Sequence, residues 1–566
     1  MRVPGYDASP RYLPVGGRVD TGWDGPVAAL PPGPLILAVD GPGLLDWRRL
    51  LDDLTAGLRM SYAEVRVADT YERFAAWETV VELTTSAELP DDPDFVRLAE
   101  GSLADLLDTT DSSEPPADGV LVVHGPGAAL LPHDVLWYVD RPKRYAEAAI
   151  TTGGGRNLGQ RSGQGTTRRL FYVDWPLLDR HRDGLLAAVD RWFDVQDPAR
   201  PASLDGDVLR RTAADLACRP FRTRPFFNST SWGGHWAQRE LGINPDSPST
   251  ALGYELIAPE SGVLLGESAD AQVEIPFAAV VALHPEEVLG TDVHRRFGTS
   301  FPVRFDYLDT VGGGSLSVHC HPQPEYMARV FGWPYTQHET YYVMETSGGR
   351  SIYLGLHEDV DVAAFNAEAH AAAHDHVPFE ITDHVQEHPA TAHQLYLVPA
   401  GTPHGSGEGN VVLEISATPY LYSLRFYDWL RRDAAGRQRP VHVDHAFRNL
   451  DTTRQGKAVQ EQLIQDPRPL RVGDGWSDEL IGMLPEMFFE VRRLALRADA
   501  QAPQETAGSF HVWTVVEGAG ATFRTGTHTH RLAYAETLVV PAAVGSYAVA
   551  GAGGQVRLVQ ALVPRP

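Results

Sequence analysis

Three short pieces of sequence that carry histidine or glutamate constrain the fold of this chain more than any other feature. The first contains His319 and His321, which are two residues apart and therefore project from the same face of a strand. Glu339 opens a second strand-like run, and His404 follows a Pro-Ala-Gly turn after a third. Three imidazoles and one carboxylate suit a divalent metal such as zinc and leave room for a substrate. The pattern therefore predicts three strands that meet at one metal.

Histidine is common in this part of the chain, so chance has to be weighed. Eleven of the 22 histidines lie between His319 and His404, and density alone would place some of them near each other. His370 and His374 share one helical face, but Ala371 stands where a zinc-protease helix carries its glutamate. We interpret His370 and His374 as solvated surface and the strand-borne set as the metal ligands.

The totals of the chain limit its class and its partners. Its 566 residues exceed a single hydrophobic core and predict about three domains. The 74 acidic and 48 basic residues give a net charge of −26, which disfavours nucleic acid and anionic membranes as partners. Residues 1–6 contain no apolar signal-peptide core, and no stretch is long and apolar enough to span a membrane. The two cysteines, Cys218 and Cys320, predict free thiols in a reducing cytoplasm.

Residues 1–220 alternate apolar runs with helical patterns, which is typical of an α/β layer with a parallel sheet. The first such run ends at Asp40 and continues into a Gly-Pro-Gly turn, which faintly resembles the P-loop start of nucleoside kinases. The lysine and the hydroxyl that hold phosphate and magnesium are replaced by Leu-Leu-Asp at residues 44–46. We therefore predict a degenerate kinase-like α/β domain without an intact P-loop, which does not transfer phosphate from ATP.

Residues 221–440 carry short apolar or alternating stretches separated by Gly and Pro, the spacing of an all-β barrel or sandwich. Helical patterns interrupt them at Glu286–Phe297 and Val362–His374. Residues 441–566 show five more strand-like stretches, with the lone His511 in place of a converging set. This last segment therefore predicts a second barrel that is structural and binds no metal.

Several short pieces follow one another along the chain: Ser231–Gly234, Leu316–Pro322, Glu339, Pro399–His404, Glu414–Ser416 and Arg425–Trp429. Together, and in this order, they resemble the type I mannose-6-phosphate isomerase family of zinc-dependent bicupin enzymes. The resemblance begins near Phe227 and implies two cupin domains, 221–440 with the metal and 441–566 without it. Residues 1–220 resemble an extra domain found on longer members of the family.

The resemblance implies a metal-dependent isomerase that interconverts mannose 6-phosphate and fructose 6-phosphate through an enediol, with a small-molecule sugar phosphate as its partner. The expected metal is zinc, with Fe²⁺, Mn²⁺ and Co²⁺ as alternatives, and it would stabilise negative charge on the substrate oxygens. Glu414 is the first candidate for the base that moves the proton, and His338 is the second. Arg425 offers a rigid donor fork to a phosphate or an oxyanion, and Trp232 and Gln337 are expected to contact the substrate. The oligomeric state stays open.

Two positions depart from the family pattern. His319 stands where the family usually has glutamine, and Gln337-His338 replaces the Lys-Thr that commonly precedes the glutamate ligand. The missing lysine leaves two alternatives open: an isomerase of another sugar or sugar phosphate, or a non-catalytic, metal-stabilised sugar-binding regulator. The corresponding non-functional interpretations are a surface ion pair for Arg425 and a structural buried carboxylate for Glu414.

Overall fold

The computed structural model of the chain describes residues 5–89, 92–110, 114–347, 350–417, 422–433 and 436–565. Residues 1–4, on which part of the signal-peptide prediction depends, lie outside the described residues. The described ranges contain a seven-stranded sheet, two β-sandwiches of two sheets each, and a small three-stranded sheet. No helix in these ranges is long and apolar enough to cross a membrane.

The N-terminal part forms the parallel sheet that its sequence predicts. The strands of the N-terminal part are β1 (Arg11–Tyr12), which lies outside this sheet, and the seven strands β2 (Asp20–Thr21), β3 (Leu35–Asp40), β4 (Glu64–Asp69), β5 (Gly119–His124), β6 (Val135–Asp140), β7 (Arg191–Asp194) and β8 (Ala202–Asp205). The sheet order is β2-β8-β7-β6-β3-β5-β4, with β4, β5, β3, β6 and β7 parallel. The central strands β3, β5 and β6 are almost wholly buried, which explains their unbroken apolar sequences.

Seven α-helices accompany this sheet in the described residues. They are α1 (Asp24–Ala28), α2 (Trp47–Leu58), α3 (Trp77–Thr84), α4 (Lys143–Thr151), α5 (Thr167–Arg169), α6 (Trp175–Leu185) and α7 (Gly206–Leu216). A π-helical turn, Leu170–Asp174, joins α5 to α6.

The turn after β3 is held by its own carboxylates. Asp40 is fully buried, accepts a hydrogen bond from Ala129 N at 2.8 Å, and lies 2.8 Å from His181 Nε2. Asp46 caps α2 by accepting a hydrogen bond from Arg49 N at 3.1 Å. Asp40 and Asp46 each accept a hydrogen bond from a backbone N–H group and add negative charge to the turn. A P-loop instead leaves such N–H groups free to bind a phosphate. The kinase-like layout itself stays a prediction.

The first β-sandwich follows and contains the predicted metal ligands. The strands of this part are β9 (Phe226–Asn228), β10 (Leu252–Leu256), β11 (Gly262–Ser268), β12 (Ala271–Pro276), β13 (Val303–Asp309), β14 (Val318–Cys320), β15 (Glu339–Thr346), β16 (Ser351–Leu356), β17 (Val385–Pro389), β18 (Leu395–Val398), β19 (His404–Ser406), β20 (Asn410–Ala417) and β21 (Leu424–Tyr427). One sheet has the order β18-β15-β20-β13-β10-β9, and the facing sheet has the order β17-β16-β19-β14-β21. β11 instead pairs with β12 on one side and with β1 on the other, so the N-terminal part adds a strand to this region.

Helices interrupt the first sandwich close to the predicted positions. They are α8 (Phe277–Leu283), α9 (Pro285–Leu289), α10 (Thr291–Phe297), α11 (Pro324–Tyr326) and α12 (Val362–His374), with π-helical turns at Ala237–Leu241 and Met327–Phe331. The stretch predicted as one helix from Glu286 is split into α9 and α10 by Gly290, whose φ of 89° is incompatible with an α-helix.

The second β-sandwich occupies the C-terminal part, preceded by α13 (Val443–Asn449) and α14 (Lys457–Leu463). Its strands are β22 (Arg468–Gly473), β23 (Trp476–Gly482), β24 (Glu490–Leu496), β25 (Gln501–Glu505), β26 (His511–Glu517), β27 (Gly520–Arg524), β28 (Thr529–Ala533), β29 (Thr537–Val540), β30 (Ser546–Gly551) and β31 (Val556–Leu562). The two sheets have the orders β22-β23-β24-β31-β26-β29 and β25-β30-β27-β28. Inward side chains of both sheets form one hydrophobic cluster between them.

Residues 92–98 of the N-terminal part pack against the first sandwich. Phe95 is buried, and its ring centroid lies 4.7 Å from that of His442. Asp92 Oδ2 lies 2.6 Å from His445 Nε2. Phe95 also belongs to the hydrophobic cluster that includes the outward side chains of β14, so this segment supports the strand that carries a predicted metal ligand. The domain boundaries at residues 220 and 440 remain predictions.

Candidate metal centre and its cavity

The first sandwich brings the four predicted ligands together. His319 on β14 is paired with His404 at the start of β19, so both side chains point to the same face. Glu339 begins β15, and His321 follows directly after β14. Each residue is at most 6% exposed, and one ligand atom of each lies within 4.8 Å of the others. These four residues, which we call the metal-ligand group, are the one cluster with such geometry in the described part of the chain.

Backbone oxygens orient the histidine rings toward the centre of the group. Nδ1 of His319 and Nδ1 of His404 each lie 2.9 Å from the carbonyl oxygen two residues earlier. An Nδ1–H donated to a carbonyl leaves the lone pair on Nε2, an arrangement typical of metal-binding histidines. Glu339 Oε2 lies 2.5 Å from His321 Nε2 and 3.1 Å from His404 Nε2. The ligand atoms therefore converge on one point.

Burial and neighbouring charges set the protonation of this group. Burial, followed by His404 and His321, holds the pKa of His319 well below its usual range. Burial alone would raise the pKa of Glu339, but His404 and His321 hold it well below its usual range. Neutral imidazoles and an ionised carboxylate are the forms that bind a divalent cation. The donor set and its orientation therefore fit zinc.

Three of the four ligands, His319, His321 and Glu339, line a cavity whose other charged residues differ in exposure, and we call the buried set its inner end and the partly exposed set its outer end. The buried inner end contains Arg304, Asp306, Gln337, Tyr341 and Glu414. The outer end contains the partly exposed Arg425 and Arg439.

A buried arginine organises the inner end. Arg304 Nη2 donates a hydrogen bond to Glu414 Oε1 at 2.7 Å, and Arg304 Nε lies 3.7 Å from Asp306 Oδ1. Gln337 Nε2 contacts the same oxygen of Glu414 at 3.4 Å. Burial raises the pKa of Asp306 to about 7. Burial, together with Asp306 and Glu339, raises the pKa of Glu414 well above its usual range. One guanidinium thus faces two carboxyl groups whose pKa values are raised by burial.

The outer end presents two guanidinium groups. Arg425 on β21 is paired with His319 of β14, and its Nη1 donates a hydrogen bond to Pro440 O at 2.9 Å. Burial, followed by the charge of Arg439, lowers the pKa of Arg425, and Arg439 itself pairs with Asp428 at 3.0 Å. Guanidinium forks at the partly exposed end of a cavity suit an anionic group on a ligand.

Four predicted residues outside the metal-ligand group line this cavity: Trp232, Gln337, Glu414 and Arg425. His338 does not line it. Its two chain neighbours face the cavity, so alternation along the extended chain turns the His338 ring to the opposite side. There His338 Nδ1 accepts a hydrogen bond from Ala400 N at 3.2 Å. This position argues against His338 as the base.

Sequence reasoning missed Arg304, Asp306, Tyr341 and Arg439. A signal existed for Arg304 and Asp306, because charged residues two apart in an apolar strand share one face, and buried charges need a partner or a function. Tyr341 likewise follows Glu339 by two residues on β15. Nothing local marked Arg439, which reaches the cavity through the loop after β21.

Comparisons with known proteins found one family model and several curated relatives that match this chain. A family model described as a domain of unknown function (DUF8485) matches residues 22–217. The mannose-6-phosphate isomerase of Streptococcus mutans is 28% identical over 223 residues, which are 38% of this chain and 63% of that enzyme, so the match spans less than two thirds of the relative. The probable mannose-6-phosphate isomerase GmuF of Bacillus subtilis is 22% identical over 342 residues, which are 59% of this chain and 96% of the relative.

The crystal structure of mannose 6-phosphate isomerase from Bacillus subtilis aligns with a TM-score of 0.47 and 19% identity, covering 61% of this chain and 99% of that one. Both curated relatives carry the name mannose-6-phosphate isomerase.

Proposed function

We propose that the protein is a metal-dependent aldose–ketose isomerase that interconverts mannose 6-phosphate and fructose 6-phosphate. The observation that carries the proposal is a single cavity that joins the metal-ligand group to a buried acid, Glu414, and to Arg425 at its outer end. The names of the curated relatives support the same reaction. We propose zinc as the metal, with Fe²⁺, Mn²⁺ and Co²⁺ as alternatives.

Glu414 is the proposed base. The reaction removes a proton from one carbon and returns it to the neighbouring carbon through an enediol, so it needs one group that can both accept and donate a proton. The Glu414 carboxyl lines the cavity, and the hydrogen bond from Arg304 Nη2 at 2.7 Å holds it in place. A divalent metal held by the metal-ligand group would stabilise the negative charge that develops on the substrate oxygens.

Arg425 is the proposed partner of the phosphate. Its guanidinium lies at the partly exposed end of the cavity, and a guanidinium offers several N–H donors in a planar fork that matches phosphate oxygens. Trp232 and Gln337 line the same cavity and complete the proposed substrate contacts.

A coupled assay with purified, zinc-loaded protein tests the proposal. We expect formation of fructose 6-phosphate from mannose 6-phosphate, and loss of both turnover and bound metal in His404→Ala. His370→Ala is the matched control, since His370 lies on α12 outside the metal-ligand group, and it should change neither quantity. No turnover of mannose 6-phosphate at full metal occupancy would contradict the proposed reaction.

A second candidate is an isomerase of another sugar or sugar phosphate. Gln337 favours it, because this cavity residue is a neutral amide where the resemblance predicts a lysine. Turnover of another aldose without turnover of mannose 6-phosphate would select this candidate. Binding of sugars without any turnover would select a sugar-binding regulator instead.

A further inference from the structure

The inner end of the cavity contains four buried polar atoms that have no hydrogen-bond partner among the described residues. They are Arg304 Nη1, Asp306 Oδ1, Gln337 Oε1 and Tyr341 Oη. Their residues are at most 4% exposed, and all four line the same cavity. Because an unpaired buried polar group destabilises a fold, native proteins contain few of them. Four on one cavity indicate a ligand that pairs with them.

The hydrogen-bonding properties of these four atoms restrict which groups that ligand can carry. Arg304 only donates hydrogen bonds, and the amide oxygen of Gln337 only accepts them. Gln337 Nε2 contacts Glu414, which leaves its carbonyl oxygen as the unpaired atom. Tyr341 can donate and accept, and Asp306 Oδ1 accepts when ionised. A ligand that matches this set must carry donors and acceptors side by side, as neighbouring hydroxyl groups do.

A phosphate does not match the inner end. Its oxygens would meet the unpaired oxygens of Asp306 and Gln337, which offer no proton when Asp306 is ionised. Arg304, the one cation among these residues, already donates a hydrogen bond to Glu414 at 2.7 Å and lies 3.7 Å from Asp306, so its guanidinium is shared between two carboxyl groups. Arg425 and Arg439 place the positive charge at the opposite end.

We propose that Arg304, Asp306, Gln337 and Tyr341 form a hydroxyl-binding subsite for the uncharged polyol chain of a linear sugar, and that a phosphate on the same ligand lies at the Arg425 end. The identity of the ligand as a sugar rests on the proposed function. The subsite fixes the orientation of the ligand and separates hydroxyl recognition from phosphate recognition.

Calorimetric titration of the zinc-loaded full-length protein with D-mannitol and with D-mannitol 1-phosphate tests the subsite. Both probes are six-carbon polyols without a carbonyl group, so binding is measured without turnover. Tyr341→Phe removes one unpaired atom and should weaken both probes by the same factor, about tenfold. Arg425→Met should weaken D-mannitol 1-phosphate about tenfold or more and leave D-mannitol unchanged.

Tyr342→Phe is the matched control. Tyr342 is the next residue on β15, and its hydroxyl lies 3.0 Å from His393 Nδ1 outside the cavity, so this variant should change neither affinity. The proposal is overturned if Tyr341→Phe leaves both affinities unchanged, if its loss is confined to the phosphorylated probe, or if neither probe binds the unmodified protein. If both probes respond as expected but mannose 6-phosphate is not isomerised, the subsite stands and the proposed function fails.

Discussion

The two β-sandwiches share one strand arrangement but use their interiors differently. The order β18-β15-β20-β13 in the first corresponds to β29-β26-β31-β24 in the second. Glu339 pairs with Val398 across β15 and β18, and His511 pairs with Val540 across β26 and β29. His511 therefore occupies, in the second sandwich, the position that the ligand Glu339 has in the first.

Hydrogen-bonded and aromatic side chains fill the interior of the second sandwich. His511 Nδ1 lies 2.6 Å from Tyr547 Oη, and Trp513 Nε1 donates to the same oxygen at 2.9 Å. The buried rings of Trp513, Phe523 and Tyr547 belong to one cluster. The position of Trp513 is taken in the first sandwich by Tyr341, which lines the cavity. A few inward side chains thus decide whether this scaffold encloses a packed core or a cavity with metal ligands.

The largest expected effect is the loss of metal and turnover when a ligand of the first sandwich is removed, compared with removal of His511 in the second. His404→Ala should remove the bound metal and lower turnover roughly a thousandfold or more, because the metal stabilises charge in the transition state. His511→Ala should leave the metal content unchanged. Elemental analysis of both variants beside a turnover assay measures this, and loss of metal from His511→Ala would break the comparison.

Glu414→Gln tests the proposed base by making the two sandwiches alike at one position. Glu414 pairs with Tyr341, and Gln560 pairs with Trp513 at the corresponding place in the second sandwich. Removing a general base should lower turnover by roughly 10²–10⁴-fold while the metal stays bound. Glu408→Gln, an exposed carboxylate outside the cavity, is the control and should have no effect. Full activity of Glu414→Gln would make Glu414 a structural carboxylate.

Trp513→Ala tests whether the second sandwich is held by its packed rings. Trp513 is fully buried, so the cavity left by its removal should lower the free energy of unfolding by about 3–5 kcal/mol. Below the unfolding temperature, metal content and turnover should persist, because the metal-ligand group lies in the other sandwich. Denaturant titration measures the loss. A stable variant that has lost its metal would contradict the assignment of separate roles.

The smallest effect concerns pH. Burial, followed by Arg492, lowers the pKa of His511 to about 3, while an unfolded histidine titrates near 6.5. Between these two pKa values, His511 therefore binds a proton in the unfolded chain but not in the folded chain. The stability associated with neutral His511 is complete above about pH 6.5 and is lost as the pH falls toward 3.

His511→Gln removes this titration. The unmodified protein should therefore lose more stability than the variant when the pH is lowered from 7 to 4, as measured by urea unfolding at each pH. A difference in stability between the two proteins that stays constant over this range would contradict the lowered pKa.

Elements defined by local periodicity could be predicted from the sequence. The helical stretch Val362–His374 is α12, and the run Thr537–Val540 is β29, residue for residue. The prediction of free cysteines is also confirmed, since Cys218 and Cys320 form no disulfide. These features depend on spacing and on residue type within a few positions, so they are visible without knowledge of the fold.

The sequence by itself determined the chemistry of the metal-ligand group, because two histidines at strand spacing and a histidine after a tight turn are local features. Only the tertiary structure decided what surrounds that group. It turned His338 away from the cavity, placed Arg304 beside Glu414, and packed Phe95 of the N-terminal part against the first sandwich. Such contacts join residues that are far apart in the chain, and no local pattern specifies which distant strand or loop will meet them.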